Sequence, residues 1–253
     1  MGIFDRFRKR RPGDDTTETA GDAGPARLPE PDPPAHPLNQ QPEGFRLPGD
    51  LGLPADTETR LRAFLWDGVL TSAEPDLLDV WGEEIAAEGI GDEQADRAFE
   101  AVLAARRAQQ ASWGPDDVLP LTSAFAALAD AGIVARENFS CCGTCASAEI
   151  ADERDDSRTW RGYVYYHQQD TESLLSSRST YVGYGAFLDA FMTEEEWLAL
   201  SDADKEATYE RLTVDLMVGD VLPVLERHGV RVEWNRELGT RILLDDVDTV
   251  VLV

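Results

Sequence analysis

GIVARENFSCCGTC, residues 132–145, decides how the chain folds. Gly132 closes one helix, Ile133 to Phe139 reads as an extended run, and the cysteine-rich turn opens another helix through CGTCASAEIADE. The next extended run is GYVYYH, residues 162–167, rich in Tyr and Val. Extended, helical, extended is a β-α-β unit, and its crossover is right-handed if the two strands run parallel in one sheet. Both strands then end at the same sheet edge, the first in SCCGTC and the second in HQQDTE, residues 167–172. The crevice beyond the strand ends is where open α/β sheets bind ligands. The spacing therefore predicts that Cys141, Cys142 and Cys145 meet His167, although the sequence separates them.

Working outward, the apolar spacing predicts helices over Asp56–Leu70, after Ser72 with Pro75 in the first turn, over Asp92–Trp113, and over Ser123–Ala131. Downstream, Asp170–Ser176 reads as a short helix and YVGYGAF, residues 181–187, as a strand. Thr193 with Glu196 three residues on is a capping box. Ser201 opens a long helix ending at Gly229, with a kink expected at Gly219 or Pro223. Val230–Trp234 and Arg241–Leu244 flank a hairpin-length turn, NRELG, and the tail TVVLV is expected to add a strand. The fold class is α/β or α+β, with a partly parallel sheet in the order β-α-β-α-β-α-ββ after a helical N-terminal region. Three parts are expected: a disordered, Pro-rich acidic linker with a basic tip over 1–48, a helical region over 49–118, and the α/β domain over 119–253. His36, inside the linker, is expected to be idle.

The chain has 253 residues and a formal net charge of −26. The first 11 residues, MGIFDRFRKRR, hold five basic side chains and one acidic, leaving 18 basic against 48 acidic beyond Arg11. Nucleic-acid binding needs clustered Lys and Arg, so such a body excludes it. It is suited to solubility, or to a basic protein partner. The basic tip, with Ile3, Phe4 and Phe7, is too short for a stable helix or membrane insertion. No apolar run is long enough to span a bilayer. All three cysteines lie within five positions, which is no secreted disulfide framework and fits a reducing cytoplasm. The Rossmann glycine motif, the Walker A loop, HExxH and GxSxG are all missing.

The cysteines admit three readings. As metal ligands, Cys142 and Cys145 join His167 around zinc, with Cys141, Asp170 or Glu149 completing a tetrahedron. As redox groups, Cys142 and Cys145 form a CGTC pair akin to thioredoxin-type motifs, without that family's strand order. As packing residues, they fill a tight turn while His167 is a satisfied strand-end histidine and Asp170 caps the helix that follows. In that last case the acidic surface is the working part, as in an immunity-like interaction protein.

Two motifs also carry a family resemblance. Asn138–Cys145 (NFSCCGTC) and Gly162–Glu172 (GYVYYHQQDTE), followed by Tyr181–Phe187 and Val230–Trp234, resemble an uncharacterised bacterial domain family of unknown function over roughly residues 120–250. In that family a Gly often follows the third cysteine, where this chain has Ala146. The resemblance implies that Cys141, Cys142, Cys145, His167, Gln169, Asp170, Thr171 and Glu172 form one site. Glu149 and Tyr184 join the candidate pocket on spacing. It implies no activity.

Overall fold

A computed structural model of the protein describes residues 36–72, 78 and 81–253. The basic tip, most of the expected linker, and Pro75 and Leu77 of the expected second helix lie outside the described residues. Helices α1 (Ala55–Val69), α2 (Gly82–Ala87) and α3 (Asp92–Gln110) form the N-terminal region. Their apolar stripes close on one another: Leu61, Leu65, Trp66 and Val69 of α1 meet Phe99, Val102 and Leu103 of α3.

Helix α4 (Pro120–Asp130) begins three residues before its expected start, because Pro120 is accommodated in a helix's first turn. Then follow β1 (Ile133–Arg136), α5 (Gly143–Glu149), β2 (Gly162–Tyr165), α6 (Gln168–Ser177) and β3 (Ser179–Ala186). The capping box at Thr193 opens α7 (Glu194–Leu198), and Ser201 caps α8 (Asp202–Leu216). A π-helical turn at Met217–Val221 takes the place of the expected kink and leads into α9 (Leu222–Arg227). Pro223 removes a donor there, and the widened turn absorbs the mismatch. Strands β4 (Arg231–Glu233) and β5 (Ile242–Asp245) complete a five-stranded sheet in the order β1-β2-β3-β5-β4.

β1 and β2 are parallel, with Ile133 opposite Gly162, and the remaining pairs are antiparallel. The mixed α/β architecture with a helical N-terminal region is therefore as the sequence pattern requires. Two aromatic-glycine matches set the β2–β3 register: Tyr163 lies opposite Gly185 and Tyr165 opposite Gly183. A Cβ at Gly185 would fall 2.6 Å from the Tyr163 ring, and one at Gly183 would fall 2.6 Å from that of Tyr165. Each ring lies across the bare backbone of its partner, which is why the motifs alternate Tyr with Gly.

The faces of the sheet differ in thickness. One packs α4, α6, α8 and α9 against Val164, Tyr166, Val182, Ile242 and Leu244. The other carries the smaller cluster of Val134, Ala146, Ile150, Tyr165 and Phe187, covered by α5.

The chain packs well before Leu51. Asn39 and Leu47 are buried, and Trp66 donates to the Asn39 carbonyl at 2.7 Å. His36 caps a short turn, its Nδ1 accepting from Leu38 N–H. The tail adds no strand. It runs over the helical region, where Gln110 donates to the Val251 carbonyl at 2.8 Å and Asn39 to that of Thr249 at 2.7 Å. The physical reason is Arg106, fully buried in α3. Its guanidinium needs acceptors, and it finds the carbonyls of Leu38 and Val251 and the side chains of Asn39 and Gln109. Burial lowers its pKa to about 10, which leaves it a cation at neutral pH.

Candidate functional site

The loop between β1 and α5 continues the strand pairing in a looser form. Tyr166 N–H donates to the Arg136 carbonyl, Phe139 N–H to that of Tyr166 at 2.8 Å, and Gln168 N–H to that of Ser140 at 3.1 Å. The chain turns through Asn138 and Ser140, with φ of 50° and 59°. Asn tolerates that left-handed region better than most residues. Its side chain is also committed: it donates to the Thr71 carbonyl at 2.7 Å and accepts from the Thr171 hydroxyl at 2.7 Å. Asn138 thereby joins the helical region to α6 beneath the cysteine loop.

This geometry gathers the thiols. The sulfurs of Cys141, Cys142 and Cys145 all lie within 4.8 Å of one another, with Cys141 exposed and the other two half-buried. All three are free thiols. The backbone N–H groups of Cys145 and Thr144, in the first turn that Cys142 opens, hold its pKa below the usual thiol value. Contact with Cys141 and Cys142 pushes Cys145 the other way, to about 11. Between these two thiols, Cys142 is the favoured anion.

His167 approaches the cysteine loop at the backbone of Gly143, where a Cβ would sit 3.4 Å from its Nε2. The imidazole packs over this glycine. His167 is the N-cap of α6: its Nδ1 accepts from Asp170 N–H at 3.3 Å, and Asp170 Oδ2 accepts from His167 N–H at 3.1 Å. His167 Nε2 also lies 3.1 Å from Asp170 Oδ2. Burial, opposed by Asp170 and aided by Arg241, holds the imidazole pKa below its ordinary value. The ring is neutral at pH 7, so its approach to Asp170 is a polar contact rather than an ion pair. Arg241, at the start of β5, binds Asp170 through both carboxylate oxygens, at 3.1 and 2.6 Å, and also the Tyr181 carbonyl.

Beside the thiols lies a cleft of about 300 Å³. Gly143 and Ser147 form its α5 wall, Tyr163, Tyr165 and Tyr184 its floor, and Thr240 and Arg241 its far side. Tyr165 and Ser147 share a hydrogen bond at 2.7 Å, and Tyr184 donates to the Thr240 carbonyl at 2.6 Å. Burial raises the Tyr163 pKa, and pushes that of Tyr184 up to about 12, so both stay neutral.

The remaining expected site residues are distributed around this core. Thr171 is buried beneath the loop and Tyr184 lines the cleft. Glu149 is exposed at the end of α5, and Gln169 is exposed on α6. Glu172 lies within the electrostatic reach of Asp67 of α1, and its carboxyl pKa is raised by partial burial and by that neighbouring charge. Among the described residues, Cys141, Cys142 and Cys145 form the group with metal-ligating distances, and His167 lies outside it. Arg241 was not evident from the sequence as part of the site. Its signal was faint: a single Arg opening a strand that otherwise reads Ile-Leu-Leu.

The family model for a domain of unknown function, DUF6891, matches residues 53–248. The chain belongs to that family, and the matched residues extend from just before α1 to just after β5. No curated protein and no solved structure matches the chain. Among the described residues, no helix is long and apolar enough to cross a membrane.

Proposed function

We propose that the domain is a thiolate metal site in which Cys141, Cys142 and Cys145 hold one zinc ion, leaving its fourth position to water or to a small ligand from the tyrosine-lined cleft. The observation that carries this reading is the mutual approach of the three sulfurs within 4.8 Å. Zn–S bonds of about 2.3 Å in a tetrahedron set sulfurs about 3.8 Å apart, a small adjustment for an exposed turn. The lowered pKa of Cys142 favours the thiolate that a metal requires. In this reading His167 shapes the loop from outside the coordination sphere, because both ring nitrogens face Asp170.

The test is elemental mass spectrometry on protein purified reduced, without chelator or His tag. About one zinc per chain is expected, lost in Cys141→Ser and Cys142→Ser and kept in His167→Ala. No metal after a zinc reload sinks the reading. Loss of zinc in His167→Ala would replace the three-thiol set with one that includes the imidazole.

The unequal thiols favour a second reading, thiol–disulfide exchange. The Cys142 thiolate attacks one sulfur of a substrate disulfide, forming a mixed disulfide and releasing a thiolate. Cys145, after losing its proton, displaces the second thiolate and leaves a Cys142–Cys145 disulfide. Metal-free protein that reduces a model disulfide, and ceases to in Cys142→Ser, would establish this reading instead.

A further inference from the structure

A second cleft, of about 450 Å³, opens beyond the ends of the same two strands, where Tyr166 rather than Tyr165 reaches. Its walls are apolar: Trp113, Val118, Leu119, Val250 and Leu252. Val118 and Leu252 are 52% and 74% exposed, so apolar surface stands uncovered at its mouth. Glu137 contributes a carboxylate to its lining. Tyr166 and Thr122 both donate to its Oε1, at 3.0 and 3.2 Å. Among the described residues, both hydrogen bonds to this carboxylate go to Oε1, none reaches Oε2, and no cation lies within ion-pair distance of either oxygen. Burial raises its pKa, against the lowering effect of the hydrogen bonds from Tyr166 and Thr122. Asp117 adds a second acid at the lining, and among the described residues no Lys, Arg or His lines the cleft.

A carboxylate with one free oxygen inside an apolar cleft of ligand size is complementary to a particular chemistry. We propose that this cleft binds a small organic cation, a primary ammonium on an apolar body, with the ammonium donating to Glu137 Oε2 and the body lying against Trp113, Val118 and Leu119. The site is independent of the thiols.

The probe is tryptamine, against tryptophol, which carries a hydroxyl in place of the ammonium. Titration calorimetry on the full chain should show tryptamine binding at least about tenfold tighter than tryptophol, the discrimination of one charged hydrogen bond. Glu137→Gln should remove that preference. Val118→Arg, at an exposed position, should abolish tryptamine binding and leave the melting temperature unchanged, which keeps the test valid if Glu137→Gln folds poorly. Cys142→Ser should bind tryptamine as the parent chain does. Equal affinity for the two probes, no binding of tryptamine at millimolar concentration, or undiminished binding in Val118→Arg would overturn the proposal.

Discussion

Tyr165 and Tyr166 are neighbours with the same side chain, and the sheet sends them to opposite faces. The Tyr165 ring crosses Gly183, and its hydroxyl meets Ser147 at the mouth of the thiol cleft. The Tyr166 ring stands edge-on to Phe125, fully buried, with its hydroxyl shared between Thr249 and Glu137. The first face is one short helix deep and the second carries four helices. A thin layer opens locally at lower cost than a thick one. The difference teaches where this fold keeps its reactive groups: thiols under the thin cover, and the carboxylate at the rim of the thick one.

The largest effects should come from the thick face. Tyr166→Ala should lower the free energy of unfolding by about 3–5 kcal/mol, because it empties core volume and strips Glu137 and Thr249 of a partner. Tyr165→Ala should cost clearly less. Equal losses in urea denaturation would break the contrast between the faces.

Gly185→Val tests the register that builds the thin face. Its side chain would enter the Tyr163 ring, and a loss of about 1–3 kcal/mol is expected. In a Tyr163→Ala background the same change should cost little. A penalty that persists there would mean that the glycine serves something other than the ring.

Glu137 sharpens the comparison through pH. Its folded pKa is raised above the ordinary glutamate value, so the fold favours the protonated acid. That contribution is complete below the ordinary range and is lost as pH rises through the folded pKa. Glu137→Gln cannot ionise, and should therefore gain on the parent chain between pH 4 and pH 7. Urea midpoints at the two pH values measure this, and an unchanged difference would show that the carboxylate pays no burial penalty.

The smallest effect belongs to the exposed thiol. Cys141→Ser should move the metal-free protein's stability by no more than about 0.5 kcal/mol. Iodoacetamide at neutral pH should modify Cys142 far faster than Cys145, as their opposed pKa shifts require. Mass spectrometry of alkylated peptides would show the order, and a faster Cys145 would reverse the assignment of the anion.

Much of this was legible in local chemistry. Period-two aromatics marked β2, Gly132 marked the end of α4, and Thr193 with Glu196 marked a helix start, because each is a short-range rule. The meeting of the cysteine loop with the residue after β2 followed from one topological rule applied to two strands. What stayed hidden depends on partners far away in sequence. Glu137 looked like one more acid in an acidic chain; it stands out only where Tyr166, Thr122 and the tail surround it. The apolar TVVLV segment read as a strand, and no local signal says that a buried guanidinium at Arg106 draws its carbonyls elsewhere. His167 looked like a ligand because capping by an imidazole leaves no sequence pattern distinct from coordination.

That guanidinium sets a schedule for synthesis. Arg106 and the Val251 carbonyl are 145 positions apart, and Asn39 reaches Thr249 across 210. At about 5–20 residues per second, a ribosome delivers Val251 roughly 7–30 s after Arg106. Through that interval α3 carries a charge with part of its shell missing, so the helices made first finish folding last, when the tail arrives to close them.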